Sequence, residues 1–462
     1  MGFNHGIEFV EGNVGPKPIR TVRGSVIFVC GTAAKGPVNV PTAITSLSEF
    51  VSTFGKGAGT LYQAAKDIYK QAGALIVVMN VLDPATHKAA VASKAYTFDT
   101  ISEKLTLDDA YGSNIVVKNT GDTVTYVVDT DYTVDTDTGV ITRVTTGSIA
   151  SGESVNVSQD IPDPTAVVDN DVIGTVDGSG NYTGIKGALG AASIVGFTPK
   201  IIIAPSYSAS LTGTAPAFTG AAVAAELVSA AASLEGFAIL DGPNTTDADS
   251  LGWRALFGES QAYLVDPWID VLDDNNAIVN VPPSAMVAGA VVKNDDARGW
   301  HTSPSGTILN GVMGLGRPIS DARALALNEN EISTIIRDQG YRLHGNRTAS
   351  ADPTWAFLPH VRLRDILKAS LRESHKWAVD KNATKTYFDD VVDGVNNYIA
   401  SLVARTILSG GVCWADPAKN TASEMDAGRV YFSIKYGRYG VAEDITFDIG
   451  IDNAFTEAAI FG

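Results

Sequence analysis

Continuous apolar runs recur along this chain, separated by amphipathic stretches. SVIFVCGTA, starting at Ser25, is apolar and rich in β-branched residues, so it reads as a buried strand. A helix is expected from about Leu61 to Gln71, followed by ALIVVMNVL as a second buried strand. Further on, a helix near Ile185–Ala192 leads to KIIIAP, and an Ala-rich helix, Thr219–Ser233, leads to GFAILDGP. A helix around Ala248–Phe257 then leads to AYLVDPWIDVL. This alternation predicts an α/β fold with a doubly wound parallel sheet. Strand ends break at Pro205, Pro243 and Pro267, which gathers loops at one edge of the sheet, and Pro282 and Pro283 open a helix over Ser284–Lys293.

The pattern is interrupted between about Ala95 and Asp163, where Thr, Val, Asp and Gly dominate. TVTYVVDTDYTVDTDTGVITRVTTGSIASGESVNVS alternates apolar and polar residues, with turns at Asp137-Thr138-Gly139 and Ser151-Gly152. Period-two alternation with such turns predicts antiparallel hairpins. Residues 91–165 therefore form an inserted all-β domain, a small barrel or sandwich, and the α/β core is discontinuous, 23–90 and 166–298. Beyond Gly299, Glu331–Arg337 and Gly340–Gly345 read as paired strands, about Val361–Val379 and Thr384–Leu408 as helices, and Val430–Ile451 as β-like. Residues 299–440 are expected to form a C-terminal α+β domain. No solenoid-type repeat is present.

Both ends read as extended arms, 1–22 and 441–462. In the first, Gly and Pro residues surround a short alternation with Ile7 and Phe9 on one face. In the second, Ile445, Phe447, Ile449 and Ile451 alternate with Thr446, Asp448, Gly450 and Asp452. Such a strand needs a sheet to join, either as an edge of its own domain or in a neighbouring subunit. Two arms of this kind favour a strand-exchanged polymer.

Composition narrows the function. The 462 residues suffice for two to four domains, and 45% hydrophobic content suits a folded chain. A formal charge of −17 disfavours nucleic acid as a partner. Cys30 and Cys413 sit in apolar segments and read as buried thiols, as expected in a reducing cytoplasm. The opening MGFNHGIEFVEGNVG has no basic stretch followed by an apolar core, and no apolar run reaches bilayer length. The expectation is a soluble protein, cytoplasmic at synthesis, with no direct membrane insertion.

Templates for chemistry fit poorly. None of His5, His87, His301, His344, His360 and His375 stands in an HExxH-like spacing, so no metal site is expected. Gly55, Gly57 and Gly59 form a GxGxG run, but SLSEFVSTF before it reads as a helix, which points to a helix-terminating glycine turn. There is no GxxxxGK[ST] motif. Gly258-Glu259-Ser260-Gln261-Ala262 has the reverse order, helix then strand, to a nucleophile elbow. Asp135-Thr136-Asp137-Thr138-Gly139 starts like a calcium loop, but Thr146 stands where the bidentate Glu belongs; a hairpin turn is the simpler reading, with weak calcium binding at Asp135 and Asp137 left open. No catalytic residue and no cofactor is assigned.

The helix after Gly340 carries Arg364, Lys368, Arg372 and Lys376 at intervals of four, one stripe of a helix, with Leu363, Ile366, Leu367, Leu371 and Trp377 on its buried side. The stripe is either a solvated face bridged to Asp365 and Glu373 or a docking surface for an acidic partner. The strings around it, GWHTSPSG, LNGVMGLGRPI, GYRLHGNRTASADP and SHKWAVDK, resemble the tail sheath proteins of contractile phage tails and tailocins in order and spacing. The resemblance implies a structural subunit and no enzyme. It implies a subtilisin-like core without the protease triad and a C-terminal domain facing an inner tube. It also implies hexameric rings stacked into a helical sheath, joined by strands from neighbouring arms. The implied partners are the chain itself, the tail tube protein, and baseplate and terminator proteins. The implied location is the virion tail, with assembly in the host cytoplasm. On triggering, a metastable extended sheath would contract and drive the tube through the host envelope. Two other readings are left open: an α/β, hydrolase-like enzyme with an appended β binding module, and, on the β insertion alone, a carbohydrate- or surface-binding protein.

Overall fold

The computed structural model describes residues 18–461. Ile7, Phe9 and the alternation around them lie outside the described residues. Arg20–Lys376 form one compact unit, and the chain from Trp377 on belongs to a second.

The first unit is organised by an eight-stranded sheet. Its order is Tyr341–His344, Ile332–Arg337, Ala262–Val265, Phe237–Asp241, Ile201–Ile203, Val26–Gly31, Leu75–Asn80 and Thr42–Ile44. The six inner strands run parallel, and the two outer ones are antiparallel to their neighbours. Strands in such a sheet are buried on both faces, which explains their unbroken apolar runs. Phe28 and Cys30 face one core with Leu227 and Trp253, whereas Ile27 and Val29 face another with Phe50, Ile68 and Val291. The expected helices cover these faces at Leu61–Gln71, Gly187–Val195, Ala222–Ser233, Asp247–Arg254 and Ser284–Arg298.

Two of these helices meet where a side chain has no room. A Cβ on Gly289 would stand 2.8 Å from the Ile68 carbonyl oxygen and 2.9 Å from Gln71 Cβ. The missing side chain lets Ser284–Arg298 approach Leu61–Gln71 backbone to backbone.

The insertion runs from the strand Lys88–Thr97 to the strand Ser154–Pro162. Two three-stranded antiparallel sheets enclose one core of Phe98, Leu105, Val117, Tyr132, Ile141 and Val155. That is a sandwich, with Thr136–Gly139 as the turn between Tyr132–Asp135 and Val140–Arg143.

The expected division at 298/299 is not where the chain divides. Ile332–Arg337 and Tyr341–His344 pair as expected, but Leu264 and Val265 register with Ile332 and Ser333, so the main sheet continues to His344. Gly299 ends the helix Ser284–Arg298 and is followed by surface loops and the strand Val312–Leu315, which joins Ile269–Leu272 and Ile278–Val281 in a three-stranded sheet; the core does not end there.

In the second unit the helix Lys385–Ala404 buries Val391, Val395, Tyr398, Ile399 and Leu402 and packs on the hairpin of Gly410–Ala415 and Phe432–Gly437. Thr384 caps its first turn by accepting from the Tyr387 N–H. The β-like stretch expected over Val430–Ile451 is a strand only at Phe432–Gly437. Residues 438–453 carry no regular structure, and the arm ends in a helix, Ala454–Phe461, rather than a strand. A strand exists only where a neighbour takes its ladder hydrogen bonds, and alternation by itself supplies none.

Gly289→Val should lower stability by about 1–3 kcal/mol through overpacking. Equilibrium urea unfolding will show this as a lower midpoint; an unchanged midpoint would mean the two helices tolerate separation.

Candidate assembly surfaces

The C-terminal arm exposes its apolar face almost completely. Ile445, Phe447, Ile449 and Ile451 are 66%, 81%, 87% and 96% exposed, and Phe455, Ile460 and Phe461 are exposed as well. Burying one such side chain is worth roughly 1.5–3 kcal/mol. Sequence reasoning found the alternation but not the apolar helix that extends it.

The hairpin beside the arm has a guarded edge. Asn396, on the helix Lys385–Ala404, accepts from the Cys413 N–H at 2.7 Å and donates to the Cys413 carbonyl at 3.1 Å. One amide thus does for Gly410–Ala415 what a neighbouring strand would do at that residue. Nothing in the sequence singles out Asn396, because its role depends on a strand 17 residues away.

The basic stripe is divided in use. Its helix spans Leu358–Ser374, so Lys376 lies beyond it in the turn Lys376–Ala378. Arg364 is largely buried, donates to both Asp365 carboxylate oxygens at 2.7 and 3.0 Å, and stacks over Trp355 with 4.5 Å to the ring centroid. Arg372 is exposed and reaches Glu235 at 2.6 Å, and Lys376 reaches Glu373 at 2.6 Å. Lys368 is exposed and has no ion-pair partner among the described residues. On the other side of the same helix, Arg362 is buried against Asp295 at 2.7 Å and lies over the Phe237 ring.

At the carboxyl ends of the parallel strands, where α/β enzymes place substrates, the chain fills the crevice itself. The Arg317 guanidinium, 7% exposed as a residue, bonds Asp247, Asp266 and Ser250 Oγ, the last at 2.7 Å. Arg323 holds Asp247 from its other side at 2.8 and 3.0 Å, and these bonds keep the Asp247 carboxyl below the usual range. Beside them, fully buried Asp241 accepts from Ser208 Oγ at 2.6 Å and from Ser284 N–H and Oγ at 2.8 Å each. It ties a strand end, a turn and a helix start together. Burial pushes its carboxyl up to about 6 against these hydrogen bonds.

The remaining candidates resolve into structure. Gly55, at φ +74, ends the helix Leu47–Phe54 and donates to the Val51 carbonyl at 2.9 Å. Asp135 caps its own hairpin turn, and Asp137 pairs with Lys35. Ser260 sits in a loop and contacts Gln261 and Arg364. Among the described residues no cluster of three or more His, Cys, Asp or Glu is placed to hold a metal. Cys30 and Cys413 are buried free thiols, and burial pushes Cys413 up to about 11. No helix among the described residues is long and apolar enough to cross a membrane.

Known proteins match along most of the chain. The family model for the tail sheath protein Gp18 domain III N-terminal region matches residues 23–81. The model for the phage tail sheath protein central domain matches 180–349, and that for the phage tail sheath C-terminal domain matches 350–452. A tail sheath protein of Burkholderia phage BcepMu is 33% identical, covering 98% of this chain and 97% of that protein. A putative prophage major tail sheath protein of Pseudomonas aeruginosa (strain UCBPP-PA14) is 29% identical over 99% of both. Among solved structures, the helical sheath of the anti-feeding prophage in its contracted state superposes with a TM-score of 0.60 at 16% identity, covering 98% of this chain and all (100%) of that one. The sheath complex of the extracellular contractile injection system PVC, also contracted, gives 0.60 at 14% identity, covering 98% and 99%.

The proton on Asp241 is bound more tightly in the folded state than in the unfolded chain. Its contribution to stability therefore rises as pH falls from about 6 towards the ordinary Asp value of 3.8, and is least above 6. Asp241→Asn should remove that slope, worth on the order of 3 kcal/mol across the window. Unfolding midpoints of both proteins at about pH 4.5 and 7 check it; parallel pH dependences would reject the assignment.

Proposed function

From the premise that the chain belongs to the contractile phage tail sheath family, we propose that it polymerises as stacked hexameric rings around a tail tube. The observation that carries this reading is the exposed apolar alternation Ile445, Phe447, Ile449 and Ile451, unpaired among the described residues. Its occupant is a neighbouring subunit's hairpin sheet, to which the arm adds as a strand. Ile7 and Phe9 supply the second arm of the same exchange. Main-chain bonds hold such an addition, and alternate side chains select its register. The rigid, subtilisin-like core then moves as a block while the arms keep neighbours connected. Contraction is the relaxation of a metastable extended lattice to one with more buried contact, driving the tube through the host envelope.

The other partners follow from the same reading. Lys368, Arg372 and Lys376 form the solvent-facing part of the stripe and dock an acidic tube protein, whereas Arg364 serves the chain's own packing against Trp355 and Asp365. Baseplate and terminator proteins bound the two ends of the polymer. The mature protein resides in the virion tail after assembly in the host cytoplasm.

Removal of Glu443–Gly462 should leave a folded protein that forms no tubes. Velocity sedimentation and negative-stain electron microscopy test this, with far-UV circular dichroism reporting the fold. Tubes of ordinary length from the truncated chain would overturn arm exchange. Reversing Lys368, Arg372 and Lys376 together should cut co-sedimentation with purified tail tubes about tenfold or more, the loss of at least 1.4 kcal/mol expected for three charges. Self-assembly should be unaffected. Unchanged tube binding would remove the docking stripe from the account.

A further inference from the structure

The glycine run Gly55, Gly57 and Gly59 has a use that helix termination does not cover. Beyond the helix end at Phe54, the loop holds a side chain of the inserted sandwich. A Cβ on Gly55 would stand 2.7 Å from Tyr111 Cζ, and one on Gly57 would stand 2.7 Å from two Tyr111 ring carbons and 2.6 Å from Ala34 Cβ. Between them the Lys56 N–H donates to Tyr111 Oη at 3.0 Å. The ring thus lies in a socket that exists because two side chains are missing. Tyr111 is itself held at φ +62, a region unfavourable for a bulky residue, with its N–H donating to Thr136 O at 2.6 Å. On the same side of the sandwich, Asp137 pairs with Lys35 of the core.

Elsewhere the insertion has few ties to the core. Its apolar core shares no residue with the two cores of the main sheet. At its base, His87 accepts from the Asp83 N–H at 3.1 Å, and its carbonyl accepts from the Asp163 N–H at 2.9 Å. The adjoining space is a mostly polar cavity of about 270 Å³ lined by Asp83, His87, Asn170 and Asp171 together with Val38 and Val81. Apart from the two backbone legs, the base has one side-chain tie to the core, His87 Nε2 to Asp171 Oδ2 at 3.4 Å, which by itself does little to fix the angle of the sandwich.

We propose that Tyr111 in the Gly55–Gly57 socket, backed by the Lys35–Asp137 pair, is a latch that locks the inserted domain to the core as one rigid body. Opening it leaves the domain swinging on its base at Asp83–His87 and Ile161–Asp163. The latch sets the direction in which the insertion presents its outer surface, and it operates in the single subunit whether or not that subunit assembles.

Hydrogen exchange and limited proteolysis of the full-length chain test it. Tyr111→Asn removes the ring and suits the left-handed backbone. It should speed exchange of the Lys56 amide about tenfold or more, in line with a lost hydrogen bond and its packing. It should also open cleavage within 83–88 and 162–166, while exchange at Val117 and Ile141 stays slow. Gly57→Val fills the socket from the core side and should give the same result with Tyr111 intact. Exchanging the charges with Lys35→Asp and Asp137→Lys should preserve protection that either change alone weakens. Two outcomes overturn the proposal. One is unchanged exchange at Lys56 and unchanged cleavage in both Tyr111→Asn and Gly57→Val. The other is fast exchange at Val117 and Ile141 in Tyr111→Asn, which would make Tyr111 a support of the sandwich itself.

Discussion

Every part of the first unit answers to one constraint: six parallel strands whose backbone and side chains are shut off from water on both faces. Such a sheet satisfies its own N–H and C=O groups through the ladder, but only helices can cover its faces. The covering helices must come from crossovers between strands. Ser284–Arg298 lies directly on Leu61–Gln71 because Gly289 removes the side chain that would hold them apart. The insertion leaves and returns beyond the strand Leu75–Asn80, so it lengthens a connection and breaks no ladder.

Burial also dictates how polar groups are used. Asp241, Asp266 and Asp295 lie where ionised carboxylates are costly, and each is met by hydroxyls, backbone N–H groups or a guanidinium. Arg317 closes the crevice at the strand ends, and Arg362 fastens the helix Leu358–Ser374 to the core. These contacts hold distant segments together; they do not present reactive groups to a substrate. That accords with family and structural neighbours that are sheath proteins, not enzymes.

The second unit carries the opposite imbalance. Among the described residues its arm leaves several large apolar side chains exposed. Asn396 at the same time closes one position of the hairpin edge against indiscriminate pairing. An exposed apolar alternation on one segment and a guarded edge on another are a combination suited to addition at chosen places. A compact core and an arm with exposed apolar residues are what the proposed polymer of rigid blocks and persistent links requires.

The sequence alone determined the alternation of buried strands and helices and the helix-ending glycine at Gly55. These follow from short-range periodicity and turn chemistry, which neighbouring residues carry between them. The strings around Gly299–Lys381 also carried the family resemblance. Tertiary structure alone decided that the main sheet continues to His344, that Arg364 is taken up by Trp355 and Asp365 while Lys368 is left to solvent, and that Gly55 and Gly57 receive Tyr111. Each of those outcomes joins residues far apart in the chain or depends on which side of a helix packs inward. A charge interval of four says where a stripe lies, but only packing says which of its members still face water.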